Sequence, residues 1–471
     1  MHRRAFLLAG SSVLGAMGFA RGGRAFAPVP PDRPRPRPTP AQLRWQQDEL
    51  ALFFHFGVNT FTDREWGDGT ESPAIFNPSS LDARQWTRAA RAAGAKAAIL
   101  TAKHHDGFCL WPTRTTRHSV AASPWRAGDG DLVREFVDAC RADGLRPGLY
   151  LSPWDRNHPA YGDSPRYNDV YVAQLTELLT GYGELAEVWF DGANGEGPGG
   201  RRQIYDWPKF WGVVRRLQPG AVMFSDAGPD VRWCGNENGS AGEPNWSMVN
   251  PDVVTAPGVS GPGVTEALQH GDPSGTVWRP AEADTSIRPG WFHHSAEDGR
   301  VRSADRLVDL YFRSVGRNSK LLLNVPPTRA GQLHDTDVAR LLEMRRRLTA
   351  LFAEDLAAGR PVRWTRTDPR TAVAEVDLGR TTPVGVVRLA EPIAEGQAVA
   401  RFRVQRSETA APTGRAAGDA AAGGDVWQDV AAGATIGYAR LERFAPVPVR
   451  RLRVVVDDAV VPPSALTVQV F

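Results

Sequence analysis

The chain has 471 residues, with 53 acids, 56 lysines and arginines and 15 tryptophans. That length exceeds what one hydrophobic core serves, so a large domain with a smaller companion is expected. The net charge of +3 is misleading, because residues 1–40 hold seven arginines against one acid and the remainder is slightly acidic, which excludes a basic groove for nucleic acid.

The run Arg3-Arg4-Ala5-Phe6-Leu7-Leu8, a modest apolar stretch to Ala20 and Ala25-Phe26-Ala27 read as a twin-arginine export signal over residues 1–27. A periplasmic or extracellular location follows as an expectation. The stretch from Ala5 to Ala20 falls short of the ~20 residues of a membrane span, so no span is expected in the mature protein. Cys109, Cys140 and Cys234 are scattered and imply no disulfide framework. Pro28 to Pro40, with arginines between prolines, predicts an extended linker rather than packed structure.

From Leu50 onward short apolar strands alternate with amphipathic helices. Strands are expected over Leu50–Phe56, Ala97–Ala102, Leu145–Leu151, Glu187–Asp191, Val222–Asp226, Trp278–Ala283 and Lys320–Val325. Helices are expected over Leu81–Ala93, Asp131–Asp143, Tyr167–Tyr182, Trp207–Leu217, Ala304–Val315 and Asp335–Phe352. This alternation predicts an α/β fold, an irregular (β/α)8 TIM-like barrel over 41–353. After Glu354 the period becomes that of strands, in Ala372–Leu378, Val384–Leu389, Ala400–Gln405, Tyr438–Phe444, Val449–Val456 and Leu466–Phe471. A C-terminal β-sandwich over 354–471 is expected, with Ala410–Gly424 as a low-complexity surface loop.

The chemistry lies at the predicted strand ends. Ala186-Glu187-Val188-Trp189-Phe190-Asp191-Gly192 is a bulky apolar strand closing on one acid, where barrel enzymes place reactive groups. An isolated Asp-Gly would otherwise read as a turn or cap. A second acid, Glu237, lies in the Gly/Asn-rich run Gly235-Asn236-Glu237-Asn238-Gly239. Glycoside hydrolysis needs two carboxyl groups about one bond, and Asp191 with Glu237 is the candidate pair.

His55, Glu65-Trp66, His104-His105-Asp106 and Trp154-Asp155 follow the other strands, and Trp291 lies farther on. They supply hydrogen-bonding groups for sugar hydroxyls and aromatic walls for C–H faces. Each tryptophan taken alone could equally be core. Asp106 and Asp155 read as orienting groups or turn formers. The adjacent histidines raise a metal site, but on an extended segment they would point to opposite faces, so no metal or other cofactor is expected.

Phe53-Phe54-His55-Phe56-Gly57, Thr101-Ala102-Lys103-His104-His105-Asp106-Gly107-Phe108, Ser152-Pro153-Trp154-Asp155-Arg156-Asn157, Ile287-Arg288-Pro289-Gly290-Trp291-Phe292 and Leu321-Leu322-Leu323-Asn324-Val325-Pro326-Pro327, with the two acidic runs, resemble the α-L-fucosidases of glycoside hydrolase family 29. The resemblance spans residues 45 to 350. It implies a barrel followed by a β-sandwich and a retaining mechanism. Asp191 becomes the nucleophile, and His55, Glu65, Trp66, His104, His105 and Trp291 become fucose-pocket residues, with Trp154 a further substrate-binding candidate from its place after a strand. The Arg-Pro-Gly-Trp-Phe and Gly-Asn-Glu patterns resemble the branch whose acid/base matches Glu237 and which prefers α1-3 or α1-4 linked fucose, with Glu243, Glu266 and Glu282 as fallbacks. The implied partner is a fucosylated oligosaccharide. The alternative of another class is a secreted glycan-binding protein on a dead barrel, which would have lost one of the two acids.

Overall fold

The computed structural model describes residues 35–407 and 426–471. The export signal and the Ala410–Gly424 loop lie outside the described residues. The linker expectation is corrected from Arg35 onward, because its guanidinium donates to the Gln397 carbonyl at 2.5 Å and ties the segment to the body. Helix α1 (Pro40–Gln47) begins inside the predicted linker. Gln42 N donates to the Thr39 hydroxyl at 3.2 Å and Thr39 N to Gln42 Oε1 at 2.9 Å, a reciprocal cap with proline at the helix start.

There follow β1 (Leu50–Phe54), α2 (Val58–Thr62), α3 (Ala83–Ala92), β2 (Ala97–Lys103), α4 (Leu132–Ala142), β3 (Arg146–Leu151), α5 (Ser164–Gly181), β4 (Glu187–Trp189), α6 (Trp207–Leu217), β5 (Val222–Ser225) and β6 (Val231–Trp233). The series continues with β7 (Met248–Val249), α7 (Val264–His270), β8 (Val277–Trp278), β9 (Ala281–Ser286), α8 (Ala304–Arg313), β10 (Ser319–Asn324) and α9 (Asp335–Leu351). The closed barrel runs β1-β10-β9-β6-β5-β4-β3-β2, all parallel. Its irregularity is local. No helix separates β5 from β6, and between β6 and β9 the chain makes a long excursion that holds only the short α7 and the antiparallel pair β7 and β8.

Two expectations change here. The stretch Trp278–Ala283 is not one strand: Trp278 pairs with Met248 outside the barrel, and Ala281 begins the barrel strand. The three-residue β6 was not predicted at all, since three residues are too short to establish a period.

Strand periodicity explains what the barrel encloses. Leu50, Leu52 and Phe54 face the helices, where they join the largest apolar core. Ala51 and Phe53 face inward with Ile99, Tyr150, Trp189, Phe224 and Leu322. Continuing that inward parity beyond each strand gives His55 after Phe53, Ser152 after Tyr150, Asp191 after Trp189 and Asn324 after Leu322. One end of the barrel interior is therefore polar by construction.

Deeper inside, Lys320 Nζ meets Glu187 Oε2 at 2.8 Å and Glu282 Oε2 at 3.5 Å, all three fully buried. Trp45 Nε1 donates to Glu187 and Trp189 Nε1 to Glu282, both at 2.9 Å. Burial, then the charge of Glu187, pushes the Glu282 carboxyl well above its usual range.

The C-terminal unit contains β11 (Arg363–Asp368), β12 (Thr371–Ala390), β13 (Val399–Ser407), β14 (Trp427–Gly433), β15 (Arg440–Ala459) and β16 (Thr467–Val470), in the order β11-β12-β15-β13-β14 with β16 on β12. Each of the 20-residue strands β12 and β15 absorbs two segments that the sequence separates. Register shifts between Asp377 and Thr382 and between Val384 and Val386 mark where they bend. Both halves contribute to one core, which includes Val376, Leu389, Phe402, Val454 and Val468. The antiparallel sheet thus closes over its own apolar face.

Candidate active site

The polar end of the barrel gathers groups from β1, β2, β3, β4, β9 and β10. Asp191 lies two residues past β4, its side chain 26% exposed. Ala193 N donates to Oδ1 at 2.7 Å and the Tyr150 hydroxyl to Oδ2 at 3.1 Å. Burial, then the charge of Asp191, pushes the Tyr150 phenol well above its usual range, so it stays a donor.

Three histidines form the wall. The rings of His104 and His105 lie 4.1 Å apart and those of His55 and His104 5.6 Å apart. The expectation that His104 and His105 point to opposite faces is corrected. Strand β2 ends at Lys103, so strand alternation no longer governs the pair. The turn beyond them needs Gly107, whose φ is +84° and whose missing side chain makes room for Asp155 Oδ1. Among the described residues no group of three or more His, Cys, Asp or Glu is arranged to hold a metal ion.

Burial keeps all three rings neutral, holding His55 and His105 at about 3 and His104 well below the usual range. Their tautomers follow from their partners. Asn324 Nδ2 donates to the Trp291 carbonyl at 2.8 Å and to Ser286 Oγ at 2.9 Å, so its Oδ1 faces His55 Nδ1 at 2.9 Å. His55 Nδ1 must carry the proton, which leaves Nε2 as a bare acceptor. Ser152 Oγ donates to the Trp154 carbonyl at 2.7 Å and so accepts from His105 Nδ1, also at 2.7 Å. His105 Nε2 then faces Asp191 Oδ2 at 3.8 Å, two acceptors across a gap that a hydroxyl hydrogen can bridge.

Aromatic rings complete the enclosure. Trp291 lies 5.1 Å from the His55 ring and is half-buried, and Trp154 lies 4.9 Å from His105. Trp66 is 56% exposed at the rim, 6.3 Å from Trp154 and 6.4 Å from His105. Glu65 reaches the pocket differently. Its carboxylate accepts from Trp291 N at 2.8 Å, Phe292 N at 3.1 Å and the His294 ring at 2.7 Å, so most of its capacity serves the segment carrying Trp291.

Glu237 is exposed on the loop beyond β6. Its charge reaches Asp284, an inward residue of β9 that accepts from Trp233 Nε1 at 2.7 Å. Burial, then Glu237 and more weakly Asp191, push the Asp284 carboxyl well above its usual range. The fallback acids lie elsewhere: Glu282 with Lys320, Glu243 with Arg317 at 3.3 Å, and Glu266 on α7 with His270 at 3.8 Å. Asp155 binds buried Lys103 at 3.1 Å and caps Asn157 N, and Asp106 accepts from Phe108 N at 2.8 Å; both orient turns.

Tyr150, Ser152, Asp284, Asn324 and His294 were not picked from sequence. Inward parity would have found the first four, since each shares a face with the barrel's inner core. His294 carries no such signal.

Residues 65–350 match the family model described as Alpha-L-fucosidase. The chain belongs to the α-L-fucosidase family. Alpha-L-fucosidase 1 of Arabidopsis thaliana is 41% identical over 449 residues, covering 89% of this chain and 84% of that protein. A glycoside hydrolase 29 family member from an unknown rumen bacterium superposes with a TM-score of 0.82 at 39% identity, over 94% of this chain and 78% of that one. A Ruminococcus gnavus GH29 fucosidase in complex with fucose matches at TM-score 0.80 and 31% identity, over 95% of both chains. This α-L-fucosidase thus pairs a closed parallel barrel with an antiparallel C-terminal sheet, and its substrate is a fucose-bearing glycan.

Proposed function

We propose that this α-L-fucosidase is an exported, exo-acting, retaining enzyme that removes terminal fucose linked α1-3 or α1-4. The observation that carries the mechanism is the carboxylate of Asp191, fixed by Tyr150 and Ala193 N beside a wall of neutral histidines. A nucleophile needs a fixed, ionised oxygen, and neutral imidazoles next to it leave that charge unquenched. Bare imidazole nitrogens on His55 and His105 accept from sugar hydroxyls, and Trp291 and Trp154 cover apolar ring faces.

Glu237 protonates the departing oxygen as Asp191 attacks the anomeric carbon, then takes a proton from water as the fucosyl–enzyme ester is hydrolysed. Its exposed position on a loop suits a group that meets a bulky acceptor. Support for the linkage comes from Arg288-Pro289-Gly290-Trp291-Phe292 and Gly235-Asn236-Glu237, and support for export from Arg3-Arg4 and the apolar stretch after them.

Parallel assays on Lewis-type trisaccharides, 2'-fucosyllactose and an aryl α-L-fucoside test the linkage: release from 2'-fucosyllactose at the Lewis-trisaccharide rate refutes it. NMR of the first-formed anomer tests retention. Asp191→Ala is expected to abolish turnover, and Glu237→Ala to regain aryl fucoside cleavage with azide; failure of both removes the pair.

A further inference from the structure

Trp291 owes its place to a segment rather than to a strand. Beyond β9 the backbone is fixed at the Trp291 carbonyl by Asn324 and at Trp291 N and Phe292 N by Glu65. Glu65 itself comes from the loop after α2, and its carboxylate is gripped from the far side by His294 Nε2 at 2.7 Å. The other ring nitrogen, Nδ1, meets Asp63 Oδ1 at 2.6 Å. Gly290 permits this closure, since a side chain there would strike Glu65 Oε1 and crowd the His294 ring.

Both neighbours are carboxylates, which only accept hydrogen bonds when ionised, so both ring nitrogens carry hydrogens. We propose that His294 is a positioning residue: as an imidazolium clamped between Asp63 and Glu65 it keeps Trp291 seated in the pocket, and on deprotonation it lets the segment loosen. The proposal rests on the fucosidase reading of that pocket. A neutral ring would turn a lone pair toward one carboxylate and lose that bond, weakening the hold on Glu65 and through it on Trp291.

Other charges nearby are engaged elsewhere. Arg64 pairs with Asp68 at 3.3 Å, Glu297 accepts from Gly290 N at 3.1 Å and meets Arg300 at 3.9 Å, and His293 turns to Asp298 at 3.2 Å beside Arg288. Burial pulls the His294 pKa down, but the hydrogen bonds to Asp63 and Glu65 more than offset it, and the net shift is upward. The clamp is therefore complete below the ordinary histidine value near 6.5 and fails as pH rises through the higher folded value.

The test compares the parent enzyme with Asp63→Asn and His294→Gln, measuring kcat and KM for an aryl α-L-fucoside from about pH 5 to about pH 9. Asp63 is largely exposed and has φ +57°, a conformation asparagine tolerates, so Asp63→Asn folds normally. The expected result is a KM that rises on the alkaline side in the parent, a rise moved about half a pH unit lower in Asp63→Asn, and a raised, flat KM in His294→Gln, with each variant's kcat within about twofold of the parent's at the same pH. Superimposable KM profiles for parent and Asp63→Asn, or an alkaline rise that persists in His294→Gln, overturn the proposal. A substrate-free readout separates it from the fucosidase reading: the ring-proton NMR resonance missing from His294→Gln must titrate above 6.5 in the parent and at lower pH in Asp63→Asn, and a value at or below 6.5 in the parent also overturns it.

Discussion

The Tyr150 hydroxyl donates to Asp191 Oδ2 at 3.1 Å from a strand whose neighbour supplies the acid, so the two residues are held together by barrel pairing of Tyr150 with Trp189. Removing the hydroxyl while keeping the ring isolates this contact. Tyr150→Phe is expected to fold normally and to lose about 10- to 100-fold in kcat/KM on an aryl fucoside, the value of a hydrogen bond to a charged group. Unchanged kinetics would mean that the bond plays no part in holding the proposed nucleophile.

Asn324 satisfies three partners at once, and Asn324→Ala leaves His55 Nδ1 and the Trp291 carbonyl unpaired. A loss of about 2 to 4 kcal/mol in unfolding free energy is expected, together with a higher KM. Denaturant unfolding and steady-state kinetics on the same preparation check both.

Asp106 provides a pH signature of stability. Burial raises its pKa to about 7, so the folded protein holds this proton more tightly than the unfolded chain, whose value is near 3.8. That contribution is present below the unfolded value and lost as pH climbs through 7. Asp106→Asn keeps the acceptor for Phe108 N and carries no charge. Its melting temperature relative to the parent is expected to rise between about pH 5 and about pH 8; a difference independent of pH would remove the argument.

Lys320 is the buried cation that both Glu187 and Glu282 meet. Lys320→Met is expected to cost about 3 to 5 kcal/mol, because it strands charge inside the barrel, and adding Glu187→Gln should recover part of that loss. Thermal unfolding of the single and double variants decides this.

Much of the barrel is legible because long apolar strands such as Ala97–Lys103 and capped helices such as Leu132–Ala142 carry their own periods. What escapes notice is short or locally polar. Val231–Trp233 offers three residues, Arg363–Asp368 is a charged edge strand exposed along most of its length, and Trp427–Gly433 ends in small residues. The site shows the same division. Histidines and tryptophans stand out as residue types, whereas Tyr150, Ser152 and Asn324 become meaningful only once barrel closure reveals which faces point inward. His294 acts through a contact with Glu65 that spans 229 positions in sequence, which no local pattern encodes.

The missing helix after β5 and the long excursion after β6 leave the proposed proton donor on a support unlike that of the nucleophile. Asp191 follows β4, which is paired on both sides within the barrel, whereas Glu237 follows the three-residue β6 and precedes the long excursion to β9. On the proposed reading, with Glu237 as proton donor, changes in that stretch alter the acceptor side of the scissile bond while the histidine wall around Asp191 stays as it is.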